Sequence, residues 1–153
     1  MGLPRRVWDS NVVIGFLCGS PQTKPDCELI IAQAERGELE IVVSAIVEAE
    51  VAYLKGVEED DAELKIREFF SRDYIIVAAV DRPVTRLARK LIRQYHLTES
   101  PDAVIMATTV HLQVPILETY EKGLLGLDGS KCDPPIVIRQ PQYSGTISMF
   151  SQK

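Results

Sequence analysis

A chain of 153 residues, 46% hydrophobic and 25% charged, has the composition of one compact domain with a full core. Its formal charge of -5 argues against a protein that coats nucleic acid by bulk electrostatics, but not against an acidic site whose bound cations reverse the local sign. No run approaches the roughly 20 apolar residues that cross a membrane, Asp9 and Asn11 break up the apolar start that a signal peptide would need, and Cys18, Cys27 and Cys132 form no CxxC pair, which suits a reduced, cytoplasmic protein.

The first expected element is a short buried strand, Val7-Trp8-Asp9, that carries a carboxylate to its C-terminal tip. Helices are expected at about 11–18 and 24–36, with Pro25 suited to a first turn. A second strand covers 39–43, and Ser44 caps a helix running to about 54. An amphipathic helix over 60–72 carries Leu64, Phe69 and Phe70. A third strand, 74–80, is rich in β-branched residues. Asp81 caps the next helix, to about 95, and Ser100-Pro101 opens another, to about 113, with Ser100 as cap. A fourth strand spans 114–117 and a short fifth 136–138. Turn residues and weak periodicity over 141–153 suggest a mobile tail or an oligomer arm beyond a single domain at 1–140. Strands separated by helices of this length imply a parallel sheet covered on both faces.

Several acids lie where such a sheet binds ligands. Asp9 ends the first strand. Glu50 falls within the apolar arc of Ile46, Val47, Val51 and Leu54 on a 3.6-residue helix, whereas Glu48 falls opposite. An inward carboxylate must be paired, protonated or bound to a cation. Asp102 sits in the first turn of a helix that is apolar nearly all round, so its N-terminus points into the protein's own crevice. Glu121 follows the fourth strand, with Glu118 and Asp128 as close competitors. Ser10, Asn11, Ser44 and Thr119 also stand at strand ends, where they can orient carboxylates or water. Crowded carboxylates repel one another. A hard dication relieves that repulsion, and Mg²⁺ or Mn²⁺ accepts such ligands. The ion acidifies bound water and neutralises charge at phosphorus, which suits a phosphodiester substrate.

Arg82, Arg86, Arg89 and Arg93 share a narrow arc, with Lys90 beside them, opposite Val84, Leu87 and Leu91. Guanidinium forks grip phosphate, so this face is a candidate RNA-binding stripe or a contact for an acidic partner. His96 and His111 match no zinc spacing. An Asp at a strand tip can also accept a phosphoryl group, as in haloacid-dehalogenase-like phosphatases. That pattern expects a second Asp two residues on, and Asn11 stands there.

Taken in order, these segments resemble PIN-domain nucleases. Trp8-Asp9-Ser10-Asn11-Val12-Val13-Ile14 is similar to their opening strand, and Val43-Ser44-Ala45-Ile46-Val47-Glu48-Ala49-Glu50-Val51 to their second motif, with Ser six residues before the ligand Glu. Pro101-Asp102-Ala103 opening an apolar helix looks like the third motif, and Thr119-Tyr120-Glu121 like the fourth, which usually reads Thr-x-Asp. The match spans roughly 6–125 and is nearest to the VapC-like toxins of toxin–antitoxin pairs. The resemblance implies a three-layer α/β/α sandwich around a mainly parallel sheet of four or five strands. It also implies Mg²⁺- or Mn²⁺-dependent RNA cleavage to 5′-phosphate and 3′-hydroxyl ends, a homodimer and a small antitoxin partner. Asp9, Glu50 and Asp102 carry over as acidic ligands; Glu121 departs from the family's Asp by one methylene.

Overall fold

β1 (Arg5–Trp8) is the central strand of a five-stranded parallel sheet. To one side lie β2 (Glu40–Ser44) and β3 (Ile75–Ala78), and to the other β4 (Ile116–Glu118) and β5 (Val137–Arg139), in the order β3-β2-β1-β4-β5. Val7 pairs with Val42 on one flank and with Leu117 on the other. The chain therefore winds outward from β1 to β3, returns, and winds outward again from β4. The reversal between β1 and β4 is the topological switch point, where open α/β sheets form their ligand crevice. These elements belong to a computed structural model that describes residues 2–19, 21 and 24–143.

Both faces of the sheet are covered, so its central strands bury consecutive side chains on both sides and need no alternation. Val7, Trp8, Ile41, Val42, Val43 and Leu117 are fully buried. Over one face, α1 (Ser10–Cys18) and α4 (Glu59–Phe70) clasp the indole of Trp8, which stacks at 11° on Phe69 and tilts against Phe16 at 6.2 Å. Beside them α2 (Lys24–Glu35) buries Cys27, Ile30 and Ile31. On the other side, α6 (Ser100–His111) buries every residue from Ala103 to Val110, and α5 (Arg82–Tyr95) packs along it through Val84, Ala88 and Leu91. This is the three-layer sandwich expected from the alternation of strands and helices.

Several boundaries move. β1 ends at Trp8, and Asp9 is the N-cap of α1, outside the strand. α3 (Ala45–Glu50) has six residues and stops at Glu50, not near 54. Val51 and Leu54, whose spacing drew the helix onward in sequence, are buried from a loop instead. α6 is capped by Glu99 without a side-chain bond, so Ser100 is its first residue and Asp102 its third. Leu64 lies on the solvent face of α4 at 61% exposure. The caps at Ser44 and Asp81 are as expected: their side chains accept from Ile46 N and Val84 N, each at 3.3 Å. Pro141 is buried and Gln142 is bonded to the sheet through both its N–H and its carbonyl, so the segment expected to loosen at 141 is held as far as Tyr143. The rest of that expected tail lies outside the described residues.

Candidate active site

Asp9 leaves the tip of β1 at the switch point and is almost wholly buried. Both its oxygens are engaged. Oδ1 accepts the backbone N–H of Ser10 at 2.7 Å and the Ser10 hydroxyl at 3.5 Å, and Oδ2 accepts the hydroxyl of Thr119 at 2.7 Å. Thr119 lies one residue past β4, next to the strand that pairs with β1. Its oxygen also accepts from Glu121 N at 2.9 Å and from Asn11 Nδ2 at 3.4 Å, while Asn11 Oδ1 accepts Tyr120 N at 3.1 Å. Neutral groups thus lace the start of α1 to the turn after β4. Burial holds the Asp9 carboxyl above its usual range, and the charge of Glu121 adds to this, against the lowering effect of the Thr119 and Ser10 hydrogen bonds.

Three further acids share this field. Glu50 ends α3 and is exposed, not turned into the core as its apolar neighbours suggested; the helix ends before a full inward arc can form. Its carboxyl still titrates above the ordinary value, through partial burial and then the charge of Asp9, moderated by a hydrogen bond from Ser10. Asp102 is half-buried in the first turn of α6. Its carboxyl is pushed up to about 6, first by burial and then by Asp9, Glu121 and Glu50, with Glu99 last. Glu121 caps α7 (Lys122–Leu125), where Oε2 accepts Leu124 N at 2.9 Å. Gly123 leaves room for that carboxylate, since a Cβ there would lie 2.7 Å from Oε2. Four elements therefore bring Asp9, Glu50, Asp102 and Glu121 into one mutually repelling set.

The rival acids have other work. Glu118 is fully buried, yet its carboxylate is saturated: Oε1 accepts from Trp8 Nε1 at 2.9 Å, and Oε2 from Arg6 Nη1 at 2.9 Å, Arg139 Nε at 3.2 Å and Gln142 N at 3.2 Å. This ionic node was missed in the sequence; its one signal was Arg6, a cation inside an apolar strand. Asp128 caps a 3-10 turn at Gly129–Lys131, and its bonds from Ser130 lower its pKa. Arg82, Arg86, Arg89 and Arg93 all project into solvent from α5, in no ion pair among the described residues. His96 and His111 are exposed helix-end residues.

The family model of the PIN domain matches residues 6–129, most of the chain. This chain is a PIN-domain protein. That family generally consists of nucleases. Solved structures with the same fold include VapBC2 from Rickettsia felis bound to a DNA fragment from its promoter, with a TM-score of 0.64 and 16% identity over 89% of this chain and 98% of that one. A toxin-antitoxin complex from Klebsiella pneumoniae aligns with a TM-score of 0.61 and 20% identity over 80% and 92%, and FitAcB from Neisseria gonorrhoeae with 0.57 and 18% over 89% and 97%. No curated protein matches the sequence significantly.

PIN-domain nucleases typically use divalent ions, and the donor set here fits one in kind: hard oxygen ligands that repel one another until a cation joins them. It is not a closed cage. Among the described residues, no three His, Cys, Asp or Glu side chains are gathered tightly enough to hold one ion as they stand. Mg²⁺ keeps several waters and needs only one or two direct carboxylates, so an open crest of four acids remains compatible with it. Asp9, Glu50, Asp102 and Glu121 are the residues that would hold it, directly or through water.

Proposed function

We propose that this PIN domain is a Mg²⁺- or Mn²⁺-dependent endoribonuclease. The single observation behind this reading is the convergence of four carboxylates from four elements at the switch point, each of the first three raised in part by the charge of another. A bound dication would supply Lewis-acid polarisation of the phosphodiester and a more acidic water. The chain's own contribution is positional. Thr119 and Ser10 fix both oxygens of Asp9, and Asn11 ties the turn that carries Thr119 and Glu121 to α1. Water adds in line to phosphorus, the bond to the 3′-oxygen breaks, and that oxygen leaves as a hydroxyl. The products are a 5′-phosphate and a 3′-hydroxyl end. The exposed arginines of α5 are proposed to grip the RNA backbone.

The reading extends to a cytoplasmic toxin with a small antitoxin partner, working as a homodimer. Its support is fold likeness to VapBC2 and to a toxin-antitoxin complex. The test is cleavage of a 5′-labelled RNA in Mn²⁺ and in Mg²⁺ by the native chain and by Asp9→Asn. Native cleavage with none in the variant is the expected result. The open spacing of the acids favours one alternative, a PIN-like module that binds RNA or protein without cutting. RNA binding by the native chain without cleavage in either metal would establish that alternative.

A further inference from the structure

A cavity of 460 Å³ lies at the edge of the sheet where the strands begin, opposite the tip that delivers Asp9. It opens between the last turn of α2, the residues entering β1 and β2, and the link from α4 to β3. Leu3, Leu39 and Tyr74 give it an apolar wall, and Leu3 is left 43% exposed. Of its charged residues, Glu40 pairs with Arg5 and Arg72 with Glu68. Glu35 and Asp73 are in no ion pair among the described residues, so the rim is acidic.

The last described residues lie beside this cavity. Past β5 the chain crosses back over the sheet: Gln142 O accepts from Arg6 Nη1 at 2.9 Å, and Tyr143 N donates to Asp26 Oδ1, in the first turn of α2, at 3.4 Å. The Tyr143 ring packs against the core, and its hydroxyl lies against the guanidinium of Arg36, just past the other end of α2. Arg36 stands between Glu35 and Gly37, both in the cavity wall, and Leu3 precedes Arg6 by three residues, within about 11 Å. Residues 144–153 follow Tyr143 and can span about 33 Å. The twelve residues of α2 measure about 18 Å, so the segment can run the length of that helix and still enter the cavity. Its chemistry suits the place. Ile147, Met149 and Phe150 are apolar, and the segment holds no acid and one cation, Lys153, to set against Glu35 and Asp73.

We propose that residues 144–153 run back along α2 and fill this cavity, with Ile147, Met149 and Phe150 against the apolar wall and Lys153 at the acidic rim. The chain thus supplies its own ligand to the edge of the sheet far from the acids. The inference does not rest on the nuclease reading. A segment tethered this closely acts at an effective concentration of about 1 mM. With an intrinsic Kd of about 100 μM it would keep the cavity about nine-tenths filled and weaken binding of a free copy about tenfold. The probe is a fluorescein-labelled peptide with the sequence of residues 144–153, titrated by anisotropy into the full native chain and into a full-chain variant carrying Ile147→Asp, Met149→Asp and Phe150→Asp. The variant, whose own segment no longer competes, is expected to bind the peptide about tenfold more tightly than native. Adding Leu3→Asp, at a half-exposed position that the fold does not depend on, should abolish that gain. Equal affinity in native and variant, or a gain that survives Leu3→Asp, would overturn the proposal. Photocrosslinking places the segment in the otherwise native chain. With p-benzoylphenylalanine in place of Phe150, mass spectrometry should find links within one chain to the peptides bearing Leu3, Leu39 or Tyr74. Links to any other surface, or links between copies when isotopically light and heavy chains are mixed, would overturn it as well.

Discussion

Asp9 directly follows β1 and Glu118 ends the neighbouring β4, and Asp9 N donates to Glu118 O at 3.1 Å. Both carboxylates are buried, yet their surroundings are opposite. Glu118 has two guanidiniums, an indole N–H and a backbone N–H around it, a set that leaves no call for a cation. Asp9 has two hydroxyls, one backbone N–H and three acids within its field. A buried charge is tolerable when it is paired and hydrogen-bonded. Glu118 meets that condition within the chain, whereas the set around Asp9 leaves it to be met from outside. The difference separates an acid that holds the sheet together from acids that wait for a partner.

The sharpest way to break this comparison is to neutralise one acid of each kind. Asp102→Asn should lower metal-dependent RNA cleavage by about a thousandfold, since a metal ligand supplies several kcal/mol to a phosphoryl transition state. The fold should remain intact by circular dichroism. Cleavage equal to native would remove Asp102 from the site. Glu118→Gln should act in the opposite sense. It leaves buried Arg6 and half-buried Arg139 without their counter-charge, and urea unfolding should show a loss of about 3 kcal/mol or more. A loss below about 0.5 kcal/mol would mean that the node is replaceable, and the contrast with Asp9 would fall. Thr119→Val probes the seam between the two. It keeps the shape but removes the hydroxyl on Asp9, and should reduce cleavage about ten- to a hundredfold, as loss of a ligand's orienting partner does. A fall in thermal stability with full activity would make Thr119 a structural residue only.

Local chemistry was the part of this contrast that could be read in advance. Caps at Ser44 and Asp81 depend on residues three or fewer positions away, and the all-apolar run after Asp102 announced a buried helix. The alternation of strands and helices carried the sandwich, and the family resemblance carried the order of the acids. Longer-range facts were hidden. Nothing between residues 116 and 121 says that Glu118 is paired and Glu121 is not, because Arg6 lies 112 residues from Glu118 and Arg139 lies 21 away. The facing of Glu50 failed for a related reason. Val51 and Leu54 have the spacing of a helix face, but a loop can bury the same residues, and only the packed chain decides between the two.

The smallest expected effect is on the metal-free protein, and it turns on sign. The Asp102 carboxyl is raised to about 6 in the fold, against an ordinary value of 3.8. The folded state therefore binds its proton more tightly than the unfolded chain does. Stability from this group is fully present below about pH 4 and is lost as pH rises through about 6. Asp9 and Glu50 shift in the same direction and extend that loss. Other groups also titrate in acid, so the informative quantity is a difference between two proteins. In EDTA, Asp102→Asn should melt above native at pH 7.5, and the gap should close towards pH 4.5, where the native carboxyl is protonated. Added Mg²⁺ should reverse the order at pH 7.5, because it binds the native acids better than those of the variant and stabilises whatever it binds. A gap that does not change with pH would place Asp102 outside the field of the other acids, and the crest would then hold three acids in place of four.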